Sequence, residues 1–213
     1  MQSICQHCGQ PSFNWPKPRL EWSQVPAQFH VKRAIEVACT GKHTLAMLVP
    51  GNLEIDAASL ADWATEHGAR VVTVTPCPCG NFGEEKRECT CDVELVTEHR
   101  KSVAWQTAKY ADMWIELMPL TGSQKLDTRL GEPAENVLVR ITKAKLPASA
   151  ITVAELDETS RQLLGAVMRQ LDLSTWQVET VLKVATTIMA LACTPKLHAA
   201  HLAEAIQYRQ RSW

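Results

Sequence analysis

Two Cys-x-Cys pairs lie close together directly after an apolar run, and they restrict the possible folds of this chain more than any other feature. The pairs are Cys77 with Cys79 and Cys89 with Cys91, and the run over 70–75 is typical of a buried strand. A Cys-x-Cys pair is too cramped for an easy internal disulfide, but it can present two thiolates to one ion. Four thiolates complete the tetrahedral shell of a structural zinc site. The spacing therefore predicts a zinc-binding loop at the end of a strand, with a reduced, metal-free cysteine loop as the alternative.

The composition favours metal chemistry over disulfides for these cysteines. The chain has 213 residues, of which 46% are hydrophobic, with eight cysteines and a net charge of −1. No apolar run reaches the ~18–20 residues of a membrane span, and the N-terminus lacks a signal-peptide core. We therefore expect a cytoplasmic protein with no membrane partner, whose thiols stay reduced. The near-zero charge gives no general electrostatic field for nucleic acid.

A second cysteine pair lies near the N-terminus. Cys5 and Cys8 have the C-x-x-C-G spacing of a zinc knuckle, but no second half of such a site follows them. His7, His30 or Cys39 could supply the other ligands, or the pair could share the ion of the four-cysteine loop. The sequence leaves these alternatives open.

Apolar periodicity predicts an α/β layer followed by a helical region. Buried parallel strands are predicted at 44–49, 70–75 and 112–118. Helices are predicted at 28–40, 56–68, 92–108, 133–145, 158–171, 174–191 and 198–209. Asp56 is expected as an N-cap, and Ser174 with Gln177 as a capping box. Cys39 and Cys193 lie in apolar helical patterns and are expected in the core.

Three stretches of the sequence resemble magnesium-chelatase-like AAA+ ATPases of the competence type. They are QFHVKRAIEVA at 28–38, TPCPCGNFGEEKRECTC at 75–91 and HLAEAIQYR at 201–209. Members of this family are hexameric ATPases, implicated as DNA translocases in recombination. The resemblance therefore implies an AAA+-like α/β core with a helical lid. It also implies a protein partner, either further copies of the chain or an AAA+ ring.

The chain departs from this family where the family binds ATP. The phosphate loop G-x-x-x-x-G-K-[ST] is replaced at 49–56 by VPGNLEID, with Ile55 in place of the lysine and Asp56 in place of the Mg²⁺-binding hydroxyl. Tyr110 and Trp176 stand where two family arginines are expected. The segment that would carry the acidic pair is missing. We therefore expect a non-catalytic binding or adaptor module; the alternative is a divergent ATPase or DNA translocase with weak nucleotide binding.

The missing segment also predicts the shape of the core. Removing two outer strands leaves a three-stranded parallel sheet with the phosphate-loop strand in the middle. One sheet edge would then need cover, from Trp15, Trp22 or a partner chain. The expected organisation is an irregular cap with the first cysteine pair (1–26), a reduced three-stranded AAA+-like core with a zinc-binding cysteine loop (27–120), and an all-helical lid bundle (121–213).

Two basic stretches are candidate nucleic-acid contacts, because cations and aromatic rings are interleaved in a manner suited to phosphates and bases. They contain Arg100, Lys101, Trp105, Lys109, Arg140, Lys143 and Lys145. Ordinary solvated helix faces are the alternative for each stretch.

Overall fold

A three-stranded parallel sheet forms the centre of the α/β part. The computed structural model describes residues 3–4, 11–12, 19–51, 53–82 and 88–210. A short antiparallel pair, β1 (Ser3–Ile4) with β2 (Pro11–Ser12), precedes the main sheet of β3 (Thr44–Leu48), β4 (Arg70–Val74) and β5 (Met113–Glu116). In the main sheet β3 lies between β4 and β5 and runs parallel to both. The predicted strand number, direction and order are confirmed.

Helices surround the sheet and make up the C-terminal region. They are α1 (Phe29–Gly41), α2 (Glu54–Glu66), α3 (Val93–His99), α4 (Val103–Ala108), α5 (Gly122–Leu126), α6 (Ala134–Lys143), α7 (Glu158–Leu171), α8 (Thr175–Leu191) and α9 (Ala199–Gln207). Within the described residues, four α-helices follow residue 130, as predicted, and the Ser174–Gln177 capping box is present.

Two helix predictions are wrong in detail. Leu53, not Asp56, is the N-cap of α2, because the helix begins two residues before Asp56. The predicted helix over 92–108 is two helices, since the chain turns at 100–102. Asp92 caps the first of them by accepting a hydrogen bond from the Leu95 amide at 2.7 Å, and Ser102 is the N-cap of the second.

Helices cover the sheet on both faces, as is usual for parallel strands. Leu45 and Met47 of β3 point into the main core, which α1, α2, α8 and α9 share. Ala46 and Leu48 point to the opposite face, where Trp105 of α4 belongs to a second cluster. The helical region therefore shares one core with that face of the sheet, mainly by packing on α1, and α4 covers the other face.

The outer side of β5 is partly covered from the C-terminal end of the described chain. The Trp114 amide of β5 donates to the Tyr208 carbonyl at 2.6 Å. Trp22, expected at a sheet edge, instead packs on Trp63 of α2, with ring centroids 4.3 Å apart. That expectation is wrong for Trp22, because its ring covers a helix, and Trp15 lies outside the described residues.

His43 joins the end of α1 to α8. Its ring is 1% exposed, with Nε2 2.8 Å from Thr187 Oγ1 and Nδ1 4.0 Å from an Asp112 oxygen. Asp112 also accepts from Lys183 Nζ at 3.0 Å. A Cβ at Gly41 would lie 2.1 Å from His43 Nε2, so only glycine allows this close approach. The α/β part and the helical region are thus tied by a buried polar contact.

We expect acid to destabilise the protein through His43. Burial lowers the pKa of His43 to about 4, with Lys183 acting in the same direction and Asp112 opposing it. The unfolded chain therefore binds a proton below about pH 6.5 that the folded protein binds only near pH 4. The free energy of unfolding should fall by roughly 2 kcal/mol between about pH 7 and pH 4.5, as measured by urea unfolding.

The matched variants for this prediction are His43→Gln and His198→Gln. His43→Gln removes the titrating group and should flatten the pH dependence, even if it lowers stability overall. His198→Gln removes a histidine with an exposed side chain and leaves His43 in place, so the loss of stability in acid should persist. An unchanged slope in His43→Gln would contradict this assignment.

Candidate metal centre

The cysteine loop begins where β4 ends and is shaped by one tight turn. The Gly80 amide donates to the Cys77 carbonyl at 3.0 Å, and Gly80 has a φ of +79°, a conformation that glycine adopts without strain. Cys77 is fully buried beneath this turn. The second pair lies in the segment that leads into Asp92, the N-cap of α3. Rigid elements therefore anchor both ends of the loop.

The four cysteine sulfurs form a compact group. The Sγ atoms of Cys77, Cys79, Cys89 and Cys91 all lie within 4.8 Å of one another. Three separations are 3.3 Å (77 to 79), 3.7 Å (77 to 89) and 3.7 Å (79 to 89). Tetrahedral zinc with bonds of about 2.3 Å needs sulfurs about 3.8 Å apart. The four cysteines that the spacing singled out can thus hold a metal ion, and their separations suit one.

Local donors distinguish the four thiols. The Phe82 amide donates to Cys77 Sγ at 3.3 Å. Burial raises the pKa of Cys79, but the Asn81 amide and neighbouring thiols outweigh it and hold the pKa at about 6. Burial and the thiols of Cys79 and Cys77 raise the pKa of Cys91 to about 12. One thiolate therefore forms readily, and a bound cation would favour loss of the other protons.

The loop after β3 contacts the cysteine loop directly. The Gly51 amide donates to the Gly80 carbonyl at 3.3 Å. A Cβ at Gly51 would lie 3.1 Å from the Cys79 carbonyl oxygen, and one at Gly80 would lie 2.6 Å from the Gly51 Cα. The two backbones meet at the carboxyl end of the sheet, where the sequence resemblance would place a phosphate loop. Sequence reasoning missed this contact, although a glycine in each loop was the available signal.

The residues that the sequence resemblance places at nucleotide-binding positions supply no positive charge. Asp56 is 9% exposed in the first turn of α2, and burial raises its pKa against the opposing effect of Lys32. Tyr110 is 79% exposed, and Trp176 is 45% exposed at the start of α8. Neither replacement supplies the positive charge of an arginine.

Trp105 was expected to be available for stacking on a base, and this expectation is wrong. The side chain is 4% exposed, and its Nε1 donates to the Thr75 carbonyl at 3.0 Å. The guanidinium of Arg100 lies over its ring, 5.6 Å from the centroid, and 5.5 Å from that of Phe82. Trp105 fills the second core cluster because it covers the face of the sheet opposite α1.

The other basic candidates do not form one surface. Arg140 is held by the carboxylates of Glu36 and Glu132. Lys101 pairs with Glu98 at 2.9 Å, and Lys109 donates to Gln106 at 3.2 Å. The first stretch belongs to the α3–α4 side of the sheet, whereas α6 packs on α1 on the other side. Of the remaining candidates in the second stretch, Lys143 and Lys145 are exposed.

The first cysteine pair, Cys5 and Cys8, lies outside the described residues. Two of its suggested partners are engaged elsewhere: Cys39 Sγ donates to the Ala64 carbonyl at 3.5 Å, and His30 Nε2 lies 2.8 Å from the Glu116 carbonyl. Cys39 is buried, as expected, whereas Cys193 is exposed because α8 has already ended at Leu191. In the described part of the chain, the four-cysteine loop is the only such group of three or more potential ligands.

The fold and the cluster define a small α/β protein with four cysteines that could hold a metal ion and a helical C-terminal region. Residues 121–209 match the family model described as magnesium chelatase, subunit ChlI C-terminal. The helical region is thus a magnesium-chelatase-type domain, and the match supports the chain as a magnesium-chelatase-like family member. No curated protein showed significant similarity to the chain. Among the described helices, none combines the length and apolar character needed to cross a bilayer.

Proposed function

We propose that this chain is a non-catalytic, zinc-stabilised relative of the magnesium-chelatase-like AAA+ proteins that acts as a binding or adaptor module. The observation that carries the proposal is the hydrogen bond from the Gly51 amide to the Gly80 carbonyl. In a phosphate loop such amides face the phosphates of the nucleotide. Here the amide is used by the protein's own cysteine loop. Zinc is the proposed ion because closed shells of four thiolates are typical of structural zinc.

The charges around this loop also disfavour a nucleotide. Ile55 supplies no cation for the β- and γ-phosphates, and Asp56 lies at the position of the Mg²⁺-binding hydroxyl. Phosphoryl transfer depends on positioned cations and on groups that orient the nucleophile. Here the buried carboxyl of Asp56 stands in place of the hydroxyl, and Ile55 stands in place of the lysine. The proposed role is therefore binding without catalysis.

A protein partner is the proposed target, either an AAA+ ring or further copies of the chain. The match of 121–209 to a magnesium-chelatase domain supports this choice, because the family forms oligomeric assemblies. A part in DNA processing is proposed from the family resemblance alone. Direct DNA binding is less favoured, since Trp105 is buried and Arg140 is already paired with two carboxylates.

We expect no ATP affinity tighter than the millimolar range by isothermal titration, and no phosphate release above background. Losing one catalytic arginine can cost about 10³–10⁵ in rate, and here two are replaced. Capture of protein partners from native extract should accordingly be unaffected by ATP. An intact magnesium-chelatase-like ATPase is the positive control.

The double substitution Ile55→Lys with Asp56→Thr makes this test sharper. It restores the missing side chains but leaves the Gly51 amide bonded to Gly80, so ATP binding should remain absent. Micromolar ATP binding by the wild-type chain, lost on mutation of the 49–56 loop, would overturn the proposed function.

A further inference from the structure

The four-cysteine loop is supported by a neighbouring loop that carries no metal ligand. This supporting loop, of which residues 49–51 and 53 are described, connects β3 to α2 and meets the cysteine loop through Gly51 and Gly80. Because the contact joins two backbones, no side chain can rotate to relieve a change in it. The inference below deepens the proposed function and rests on metal binding by the cysteine cluster.

We propose that Gly51 is a positioning residue of the metal centre. Its Cα lies so close to the cysteine loop that an added Cβ would be 3.1 Å from the Cys79 carbonyl oxygen and 3.4 Å from the Gly80 Cα. Cys79 is itself a predicted ligand, and Gly80 is the next residue. Any side chain at position 51 must therefore push on the backbone of a ligand.

The supporting loop cannot move away to avoid this push. The Val49 amide donates to the Val74 carbonyl of β4 at 2.8 Å, and the Leu53 amide donates to the Pro50 carbonyl at 3.0 Å. Leu53 is 4% exposed in the main core and is the N-cap of α2. The displacement falls on Cys79 and Gly80, while Cys77 stays buried in the core. Metal sites tolerate ligand displacements of only about 0.2 Å.

The coupling must also act in the opposite direction. If the supporting loop favours the seated cysteine loop, then a metal that fixes the cysteine loop favours the Gly51–Gly80 hydrogen bond by the same free energy. Metal binding therefore protects the backbone of residues 49–53.

The test compares Gly51→Ala with Gly122→Ala. Gly122 has no atom within 4 Å of its added Cβ, and its φ lies outside the range that favours glycine, so it is the matched control. Gly51→Ala should weaken zinc binding by about 10–100-fold, the usual cost of losing support for a ligand, in competition with a chromogenic chelator. The sulfur-to-cobalt absorption bands of the Co²⁺-loaded protein should also change. Gly122→Ala should match wild type in both measurements.

Hydrogen exchange on the unsubstituted chain gives an independent reading. The Gly51 amide should exchange more slowly with zinc than without it, because it donates to Gly80, while the amides of α7 should not change. Equal zinc affinity and identical cobalt spectra in wild type and Gly51→Ala would overturn this inference alone, as would metal-independent exchange of the Gly51 amide. A wild-type chain that binds no metal would overturn both the inference and the proposed zinc site.

Discussion

Replacing Cys89 and Cys91 together with serine is expected to abolish metal binding by the four-cysteine loop. The sulfurs of Cys77 and Cys79 lie 3.3 Å apart and remain as a pair, but two thiolates leave half of a tetrahedral shell empty. Structural zinc contributes about 10–16 kcal/mol of apparent binding free energy in small peptides, so losing half of the ligands should weaken binding by at least about 10³-fold. Elemental analysis of protein purified without added metal should show about one zinc per chain less in the double variant than in wild type.

The control for this prediction is Cys193→Ser. Cys193 is exposed and is not part of the cluster, so the zinc content of the Cys193→Ser variant should equal that of wild type. Removing zinc with a chelator should lower the melting temperature of the wild type and of Cys193→Ser, but not that of the double variant. Zinc content that is unchanged in the double variant would mean that another set of ligands holds the ion.

Replacing Glu36 with alanine is expected to cause a large loss of stability. Glu36 is 3% exposed on α1, and its carboxylate accepts hydrogen bonds from Arg33 and Arg140. Arg140 comes from α6, so the pair ties the α/β part to the helical region. Without Glu36, both guanidinium groups lose a partner in a partly buried site. The free energy of unfolding should fall by about 2–3 kcal/mol, since the arginines are partly exposed and keep Glu204 and Glu132 as partners.

An exposed ion pair provides the comparison for Glu36. Glu158 pairs with Arg161 at 3.2 Å on α7, and its side chain is 69% exposed. Glu158→Ala should cost less than about 0.5 kcal/mol, because solvent screens such pairs. Urea unfolding of both variants and of the wild type at one pH measures the two losses in free energy of unfolding. A loss below about 0.5 kcal/mol for Glu36→Ala would show that the buried carboxylate does not stabilise the contact.

Features set by local pattern could be predicted from the sequence. The three strands are short apolar runs, and the long helices have an apolar residue every three to four positions. The local pattern of each element therefore indicates which of its residues are buried. The cysteine cluster could also be predicted, since two Cys-x-Cys pairs in a turn-rich loop can close on one ion. The Ser174–Gln177 capping box is a contact within four residues and needs no tertiary information.

Features set by distant contacts could not be predicted in the same way. Trp105 lies between basic residues in sequence, but its ring is buried because it covers the apolar face of the sheet that α1 does not cover. The Gly51–Gly80 contact joins loops from two strands, so it depends on the register of β3 against β4. The early start of α2 has the same origin, because Leu53 is held by the core rather than by a polar cap.

The continuous main core has a consequence for how the chain acquires its structure. Ile35 of α1, Leu60 of α2, Ile188 of α8 and Leu202 of α9 belong to one buried cluster. During synthesis, the α/β part leaves the ribosome with the side of α1 that α8 covers still exposed, until α8 and α9 follow. Neither part has a complete interior without the other, so the two should fold in one cooperative step. A nascent chain of this protein therefore depends on its last helices to hide the surface that chaperones and proteases recognise.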